Sequence, residues 1–360
     1  SALVELRVGS APTTSAEPVR TLTDARGVFR FRLRSADSVH VRVLRPGFRP
    51  VVAPSAFVRP QETIDLHIVL TQLPVRVATV EVHGSAVCGE RADAAAWQLW
   101  EQARTVLQST VLTERDSSLR VRTVEFQGEA TPKGAVVVQD SSILDVPLER
   151  PFAQAHYDSL FRWGYIRRAR DTVTYYAPNA SVLTDERFVL GHCFQVVAAD
   201  STPAGVVGVR FEPARRPRFG YTDIAGVFWL DATNYLLRQI DFGYVNPPRG
   251  HQVLGTGGHV LFTQLATGHW VMSDWMIRMA NLVLHRGPWE RQRREDGSYY
   301  MERNGVIPLE AALVRGNYGL WARAQRIVSV QQGGQLLYFD EDAAAIARRA
   351  IPRVVEPPPG

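Results

Sequence analysis

The sequence predicts a mainly β protein, with an N-terminal β-sandwich followed by an α+β domain in which one or two helices pack on a long curved antiparallel sheet. Short runs of alternating apolar and polar residues recur along most of the 360-residue chain. Pro, Gly, Ser and Asp separate these runs, as they do between strands. Two segments instead carry apolar residues at helical spacing, so we expect a fold dominated by sheet.

The sandwich is predicted to occupy residues 1–74. Its alternating runs include GVFRFRLR (27–34) and TIDLHIVL (63–70). In the first run Phe29, Phe31 and Leu33 point to one side of the strand while the intervening arginines point to the other. One face of this unit is therefore expected to be core and the other solvated.

Changes in composition predict the remaining boundaries. We expect a linker strand over residues 75–85, the α+β domain over 86–345 and a proline-rich tail over 346–360. Helix formers fill residues 91–108, where Trp97, Trp100 and Val106 or Leu107 recur at helical spacing and are expected to pack on a sheet. A second helix is predicted over 151–164. Nine alternating runs are predicted strands of the long sheet: 118–128, 134–140, 171–178, 205–213, 223–231, 235–245, 257–266, 269–279 and 324–333.

Cys88 and Cys193 are the two cysteines of the chain. No CxxC motif is present, which argues against a zinc or redox motif. We expect a single disulfide between them, which is typical of an exported protein, and two buried free thiols are the alternative.

The chain carries a formal net charge of +5, and Lys133 is its one lysine. Arginine pairs bidentately with carboxylate and phosphate, so the surface suits acidic partners or anionic headgroups. The basic residues are spread along the chain and no aromatic-basic binding motif accompanies them, so nucleic acid is not expected as a partner. No run of about 18 uncharged apolar residues occurs, and no membrane span is predicted.

The segment GVFWLDATNYLLRQIDFGY (226–244) allows two interpretations. Asp231 and Asp241 could form a catalytic carboxylate pair, or Asp231 could begin a hairpin turn. We favour the hairpin, because Asp accepts backbone N–H bonds and Asn234 tolerates positive φ. The expected packing residues of the hairpin are Phe228, Leu230, Ile240 and Phe242.

Other candidates for chemistry are weak. Ser85 lacks the G-x-S-x-G context of a hydrolase nucleophile. His251, His259 and His269 could converge across neighbouring strands, although scattered histidines more often have structural roles. The glycine-rich LGTGGH segment (254–259) lacks the pattern of a phosphate cradle. No catalytic residue, metal ligand or cofactor is therefore predicted.

The strand HWVMSDWMIRM (269–279) is the candidate partner or ligand surface. Strict alternation places Trp270, Met272, Met276 and Arg278 on one face, and methionine adapts to irregular surfaces. The alternative is a strand that is buried on both sides.

Residues 1–74 resemble the carboxypeptidase regulatory-like domain. The resemblance lies in Asp24, Gly27 and Phe29 of the first hairpin, in VRVLRPGFRP (41–50) and in TIDLHIVLTQLP (63–74). It implies a non-enzymatic, transthyretin-like sandwich of an exported bacterial protein. The chain starts at what is usually the second strand of that domain, so an opening strand is expected to be missing.

Residues 204–280 are similar to the curved sheets of periplasmic lipoprotein carriers. The similarity lies in the G-x-x-W-x-D motif of Gly226, Trp229 and Asp231 and in the later pair Trp270 and Trp275. It implies a sheet that wraps a helix-covered apolar cavity for acyl chains. The complete arrangement also resembles exported bacterial proteins from which no activity can be carried over.

We therefore expect a non-catalytic protein that is periplasmic or otherwise extracytoplasmic and peripheral to a membrane. It would act as an extrinsic interaction or scaffold subunit, with membrane-protein subunits as partners and arginine loops that contact acidic partners or headgroups. Photosynthetic reaction-centre and antenna assemblies are among the hosts that fit, although no residue selects them. The alternatives are a carrier of a lipid or other apolar ligand and, third, a hydrolase that uses Asp231, Asp241 or the late histidines.

Overall fold

A computed structural model shows the predicted mainly β fold, with large antiparallel sheets and few helices. The described residues are 1–9, 18–24, 26–73, 94–148, 157–169, 172–197, 202–248, 251, 253–281, 289–293, 299–303, 319–349 and 351–352. The predicted linker strand, residues 75–85, lies outside them.

The N-terminal unit contains a five-stranded sheet in the order β2-β1-β3-β4, with β5 also paired to β3. Its strands are β1 (Leu3–Val8), β2 (Val19–Leu22), β3 (Asp37–Leu44), β4 (Val51–Val52) and β5 (Ala56–Val58). The predicted strands at 27–34 and 63–70 pack on this sheet through alternate side chains, but neither is paired as a strand. The sandwich therefore has one hydrogen-bonded layer and one layer of extended segments.

Strands of the second unit overlap all nine predicted runs, and eight of these runs lie in the long sheet as predicted. The run 171–178 is the exception, because its strand belongs to a separate two-stranded hairpin. Eleven of the strands form one sheet in the order β10-β11-β12-β13-β14-β15-β18-β6-β7-β20, with β19 also paired to β18. The pairs β8-β9 and β16-β17 are separate hairpins. In chain order the strands are β6 (Leu119–Ala130), β7 (Val136–Pro147), β8 (Ile166–Ala169), β9 (Thr172–Tyr175), β10 (His192–Val196), β11 (Val206–Pro213), β12 (Asp223–Asp231), β13 (Leu237–Val245), β14 (Gly257–Gln264), β15 (Trp270–Asn281), β16 (Trp289–Arg293), β17 (Tyr299–Arg303), β18 (Gly319–Gln332), β19 (Gln335–Phe339) and β20 (Ile351–Pro352).

Two helices match the predicted ones, and three short helices were not predicted. Helix α1 covers residues 94–108 of the first prediction and extends it to residue 113, whereas residues 91–93 lie outside the described residues. Helix α2 occupies the described end of the second prediction. The predicted tail is wrong at its start, because the last helix and β20 belong to the long sheet domain. The helices are α1 (Ala94–Thr113), α2 (Tyr157–Trp163), α3 (Ala180–Thr184), α4 (Glu186–Gly191) and α5 (Glu341–Ala347).

Trp100 anchors α1 on the long sheet. Its fully buried ring lies 4.8 Å, centroid to centroid, from Phe194 of β10 and 5.0 Å from Phe228 of β12. Phe188 of α4 closes this aromatic cluster at 6.5 Å. The predicted core role is thus correct for Trp100 but wrong for Trp97, whose side chain is 44% exposed and which meets only the edge of the cluster.

The N-terminal unit docks on the opposite side of the same helix. The backbone N–H of Gly47, in the turn after β3, donates to Gln102 Oε1 at 2.8 Å in a buried position. Arg42 of β3 contacts Glu101 of α1 at 3.4 Å and Glu5 of β1 at 3.6 Å. A buried hydrogen bond and a bridging arginine therefore hold the first sheet against α1.

A β-bulge changes the alternation of β13. Trp229 pairs with Gln239, but the next residue, Leu230, pairs with Leu237, so Arg238 has no opposite residue. Leu237 consequently lies on the core side together with Leu230, where strict alternation would have placed it on the other side. The four predicted packing residues of this hairpin, Phe228, Leu230, Ile240 and Phe242, are all buried.

Among the helices that the structure describes, none combines the length and the apolar character needed to cross a membrane.

We predict that Gly47→Ala destabilises the protein by roughly 2–3 kcal/mol, because two costs add at this position. Gly47 has φ +79°, which strains an L-residue, and an added Cβ would lie 2.8 Å from the backbone oxygen of Asn234. Chemical denaturation monitored by circular dichroism would measure the free energy of unfolding.

Gly205→Ala is the matched control. Gly205 has the same φ of +79°, but an added Cβ would meet nothing within 4 Å. We expect the control to lose about 1 kcal/mol from backbone strain alone. Equal losses in the two variants would mean that contact between the N-terminal unit and the hairpin does not matter for stability.

Candidate interaction surface

Three of the four residues predicted as a partner or ligand surface are buried. Trp270 and Met272 belong to the core beneath α1, whereas Met276 packs in a separate cluster with Phe126. The prediction of one accessible surface is therefore wrong for these residues. The alternative of a strand buried on both sides describes them.

A second β-bulge explains why these residues do not share a face. Leu261 pairs with Asp274 and the next residue, Phe262, pairs with Met272, which leaves Ser273 without an opposite residue. Residues after a bulge exchange faces relative to simple alternation. Trp270 and Met272 therefore point to one side of the sheet, and Met276 and Arg278 point to the other.

Arg278, the fourth predicted surface residue, is partly buried and has a structural partner. Its Nε donates to the backbone oxygen of Gly255 at 2.8 Å. Burial lowers the pKa of the guanidinium, while the nearby acidic groups of Asp241 and Tyr244 act in the opposite direction. The side chain fixes the loop before β14 and is poorly placed to reach a partner.

Asp231 closes the turn of the hairpin, as predicted. Its Oδ1 accepts from the backbone N–H of Thr233 at 2.9 Å and of Asn234 at 3.2 Å, and Arg238 donates to Oδ2 at 2.9 Å. The hydroxyl of Thr233, these backbone donors and Arg238 lower the pKa of Asp231 to about 2. Both oxygens of the carboxylate are thus occupied by hydrogen bonds that stabilise the turn.

Asn234 acts differently from the prediction. Its Oδ1 accepts from the backbone N–H of Leu236 at 3.0 Å, so the side chain does stabilise the turn. The positive φ, however, occurs at Tyr235, with a value of 57°. Tyr235, whose side chain is buried, therefore adopts the left-handed conformation that was expected of Asn234.

Asp231 and Asp241 do not face each other. Asp241 lies opposite Val227 on β12, four positions from Asp231, and accepts from Trp229 Nε1 at 2.7 Å and from Gln239 Nε2 at 2.6 Å. Two donors therefore occupy both oxygens of Asp241. This geometry supplies no close carboxylate pair for acid-base chemistry.

The late histidines lie apart. His259 is directly opposite Asp241, and its Nε2 is 3.7 Å from Asp274, whose charge is compensated by Arg326 at 2.6 Å. His251 instead contacts the hydroxyl of Tyr175 at 2.6 Å, and His269 contacts Thr267. Within the described ranges, no group of three or more His, Cys, Asp or Glu side chains could hold a metal ion.

Cys193 is disulfide-bonded and lies at the sheet edge in β10. Cys88, its predicted partner and the other cysteine of the chain, lies outside the described residues.

A different surface brings together arginines and exposed aromatic rings, and we name it the cationic-aromatic patch. Part of it comes from the end of α2 and from β8, and the rest from the 214–222 loop that joins β11 to β12. Phe219 is fully exposed and Trp163 is about half exposed. The patch consists of Arg162, Trp163, Arg167, Arg215, Arg216, Arg218 and Phe219.

Hydrogen bonds fix the loop that carries Phe219. The backbone N–H of Tyr221 donates to the oxygen of Arg218 at 3.1 Å, which closes a turn around Phe219. The side-chain amide of Asn246 donates to the oxygens of Arg218 and Tyr221 at 3.1 and 2.9 Å. The exposed ring therefore stands on a loop whose backbone is held at both ends of its tip.

The α2 end of the patch is joined to this loop. Tyr165 donates its backbone N–H to the oxygen of Thr222 at 2.8 Å, and Arg218 Nη2 donates to the oxygen of Arg162 at 3.3 Å. An added Cβ on Gly164 would lie 2.5 Å from the Thr222 oxygen, so the two segments are in close backbone contact. The tertiary structure thereby places two sequence-distant basic segments side by side.

The patch arginines keep their charges available. Arg162 and Arg167 lie 5.0 and 5.6 Å from the ring of Trp163, within cation-π range. In the part of the chain that the structure describes, no carboxylate forms an ion pair with the five patch arginines, whereas neighbouring Arg187 pairs with Asp158 and Asp185. The patch can therefore bind anions from outside the molecule.

The sequence indicated only part of this surface. The charged run RRPRF (215–219) is typical of a solvated loop, and its arginines are exposed. Phe219, at the end of this run, was the one residue in the sequence that indicated contact with a membrane or another apolar surface. The position of Trp163 beside the 214–222 loop depends on the packing of α2, and the sequence alone did not indicate it.

Comparison with protein families found no match for this chain, and comparisons with curated proteins and with solved structures found none either. The resemblances to the carboxypeptidase regulatory-like domain and to lipoprotein carriers therefore stay predictions.

We predict that Asp231→Asn lowers stability by about 1 kcal/mol at neutral pH, after allowance for solvent screening of this partly exposed turn. Because the folded-state pKa is depressed to about 2, the charged carboxylate stabilises the fold above the unfolded pKa of about 4. This contribution is lost as pH falls through about 2. Urea denaturation of both proteins between pH 7 and pH 2 would measure the difference.

Asp241→Asn is the control for removal of a carboxylate from the same hairpin but outside its turn, since Asp241 accepts hydrogen bonds from Trp229 and Gln239. The prediction fails if the stability difference for Asp231→Asn is the same at pH 7 and pH 2. Such a result would assign the effect to lost geometry and not to charge.

Proposed function

We propose that this protein is a non-catalytic, extracytoplasmic interaction subunit that attaches peripherally to a membrane-bound assembly. The cationic-aromatic patch would face the membrane, with its arginines on anionic headgroups and Phe219 in the interfacial region. The observation that carries this proposal is the full exposure of Phe219 on a fixed loop, among arginines that form no ion pair with a described carboxylate.

The exposure of Phe219 has an energetic cost. Burial of a phenylalanine side chain is worth about 1.5–3 kcal/mol, and a mobile loop could recover part of it by folding back. The hydrogen bonds of Asn246 prevent this collapse by holding the loop tip. Large apolar residues beside cationic ones are typical of surfaces that bind at a membrane interface.

The disulfide supports the proposed compartment. Disulfides persist in oxidising environments such as the periplasm and are rare in the cytoplasm. Cys193 is disulfide-bonded, and a protein outside the cytoplasm could meet the outer face of a membrane with the cationic-aromatic patch. Membrane-protein subunits with acidic surfaces would be the partners beside the lipid.

Carriage of a lipid or other apolar ligand is the second candidate function. The observation that favours it is a cleft of about 1410 Å³ in the N-terminal unit, lined in part by apolar side chains. The sequence resemblance instead implied an apolar cavity between a helix and the curved sheet. That location is not supported, because Trp100, Phe188 and Phe228 fill the space between α1 and the long sheet. Native mass spectrometry of gently purified protein would detect a bound acyl ligand.

We predict that Arg215→Glu combined with Arg216→Glu weakens binding to vesicles containing phosphatidylglycerol by roughly tenfold or more, because each cation near an anionic surface contributes about 1 kcal/mol. Phe219→Ser should weaken binding several-fold through loss of apolar burial. Co-sedimentation measures both effects, and added salt should reduce the binding of the unmodified protein.

Arg348→Glu with Arg349→Glu is the charge-matched control, since these are also consecutive exposed arginines. Phe339→Ser controls for removal of an exposed phenylalanine. Binding as strong to neutral phosphatidylcholine vesicles, or an equal loss in the control variants, would contradict the proposed orientation.

We also predict that Cys88 and Cys193 resist alkylation in protein that is denatured without reductant, because both sulfurs would be in the disulfide. Mass spectrometry should show two added labels only after reduction. Two labels without reduction would remove the support for an extracytoplasmic location.

A further inference from the structure

Leu190 is an exposed apolar residue near the end of α4. Its side chain is 74% exposed, whereas Phe188, two residues earlier, is fully buried in the aromatic cluster of Trp100. Residues two apart in an α-helix lie about 200° apart around its axis. Because Phe188 faces the core, the helix turns Leu190 towards solvent. The packing of α4 therefore imposes the exposure of Leu190.

The backbone places Leu190 beside the loop of the cationic-aromatic patch. His192, which begins β10, pairs with Pro213 at the end of β11. The oxygen of Gly191 accepts from the backbone N–H of Ala214 at 2.8 Å, and the arginines of the loop follow directly in the chain. The end of α4 and this loop therefore meet at the same end of the long sheet, where β11 stops and β12 starts.

Arg187 holds α4 against α2, the helix that ends in Trp163. Its guanidinium lies 2.8 Å from the carboxylate of Asp158 in α2 and 2.9 Å from that of Asp185 at the start of α4. The same guanidinium lies 4.3 Å from the ring centre of Phe161. Two carboxylates thus compensate the charge of Arg187, so α4 contributes apolar area to this surface and little cationic charge.

Three exposed apolar side chains lie around the arginines of the patch, and each stands on a different element. Trp163 ends α2, Leu190 lies in α4 and Phe219 lies in the loop between β11 and β12. An anionic bilayer fits such a surface, because it offers headgroups to the arginines and an apolar phase to every side chain without a separate pocket for each one. A single inserted side chain would let the protein tilt, whereas three restrict its orientation.

We propose that Leu190 is a second membrane-inserting residue, and that the surface in contact with an anionic bilayer extends from the cationic-aromatic patch to the end of α4. This inference rests on the proposed function and deepens it by assigning a further apolar contact with the lipid. Leu190 enters the membrane at the start of the arginine loop, and Phe219 enters it at the tip of that loop. The attached protein then has one orientation.

Co-sedimentation of Leu190 variants with phosphatidylglycerol vesicles tests this inference. Leu190→Ser should weaken binding several-fold through loss of apolar burial. The substitution changes no charge, so the factor should be the same at low and at high salt, whereas the loss caused by Arg215→Glu with Arg216→Glu should shrink as salt increases. Leu190→Trp should strengthen binding several-fold, since tryptophan favours the interfacial region of a membrane.

Leu336 provides the matched controls. It is 53% exposed and pairs with Gln331 near the end of β18, at the opposite end of the long sheet. Leu336→Ser and Leu336→Trp should bind as the unmodified protein does. Unchanged binding of both Leu190 variants, or equal changes in the Leu190 and Leu336 variants, would overturn this inference and leave the proposed function standing. Absence of vesicle binding by the unmodified protein would overturn both.

Discussion

The packing of α1 through Trp100 is the contact on which the arrangement of both units depends. Trp100 fixes the helix on the long sheet by stacking against Phe194 and Phe228. On its other side, the same helix offers Gln102 to the backbone of Gly47. Loss of the aromatic cluster would release the helix, and the N-terminal unit would lose its support with it.

The interior and the surface of this protein satisfy their polar groups differently. Inside the long sheet, Asp241 has two donors and Asp274 has the compensating charge of Arg326. At the cationic-aromatic patch, in contrast, no described carboxylate forms an ion pair with the arginines, and the ring of Phe219 is fully exposed. These groups support an interaction role more directly than any arrangement of carboxylates does.

Two β-bulges explain where reasoning from alternation failed. Each adds one residue to a strand, Arg238 in β13 and Ser273 in β15, and the side chains beyond it change faces. Both bulges lie between consecutive strands, β12 with β13 and β14 with β15, and they depend on the pairing register of the two strands, which alternation within one strand does not specify. Alternation therefore located β15 correctly but assigned Met276 to the wrong side of the sheet relative to Trp270.

The sequence by itself determined the mainly β class, the position of α1, eight of the runs that form the long sheet and the role of Asp231 in its turn. Those features depend on local alternation, helix-forming residues and turn chemistry within a few positions. Only the tertiary structure decided that Trp270 and Met272 are buried, that Trp163 joins the loop of Phe219, and that segments 28–35 and 63–70 remain unpaired. These outcomes depend on which distant segments meet, because burial and hydrogen bonding are properties of the contact and not of the residue.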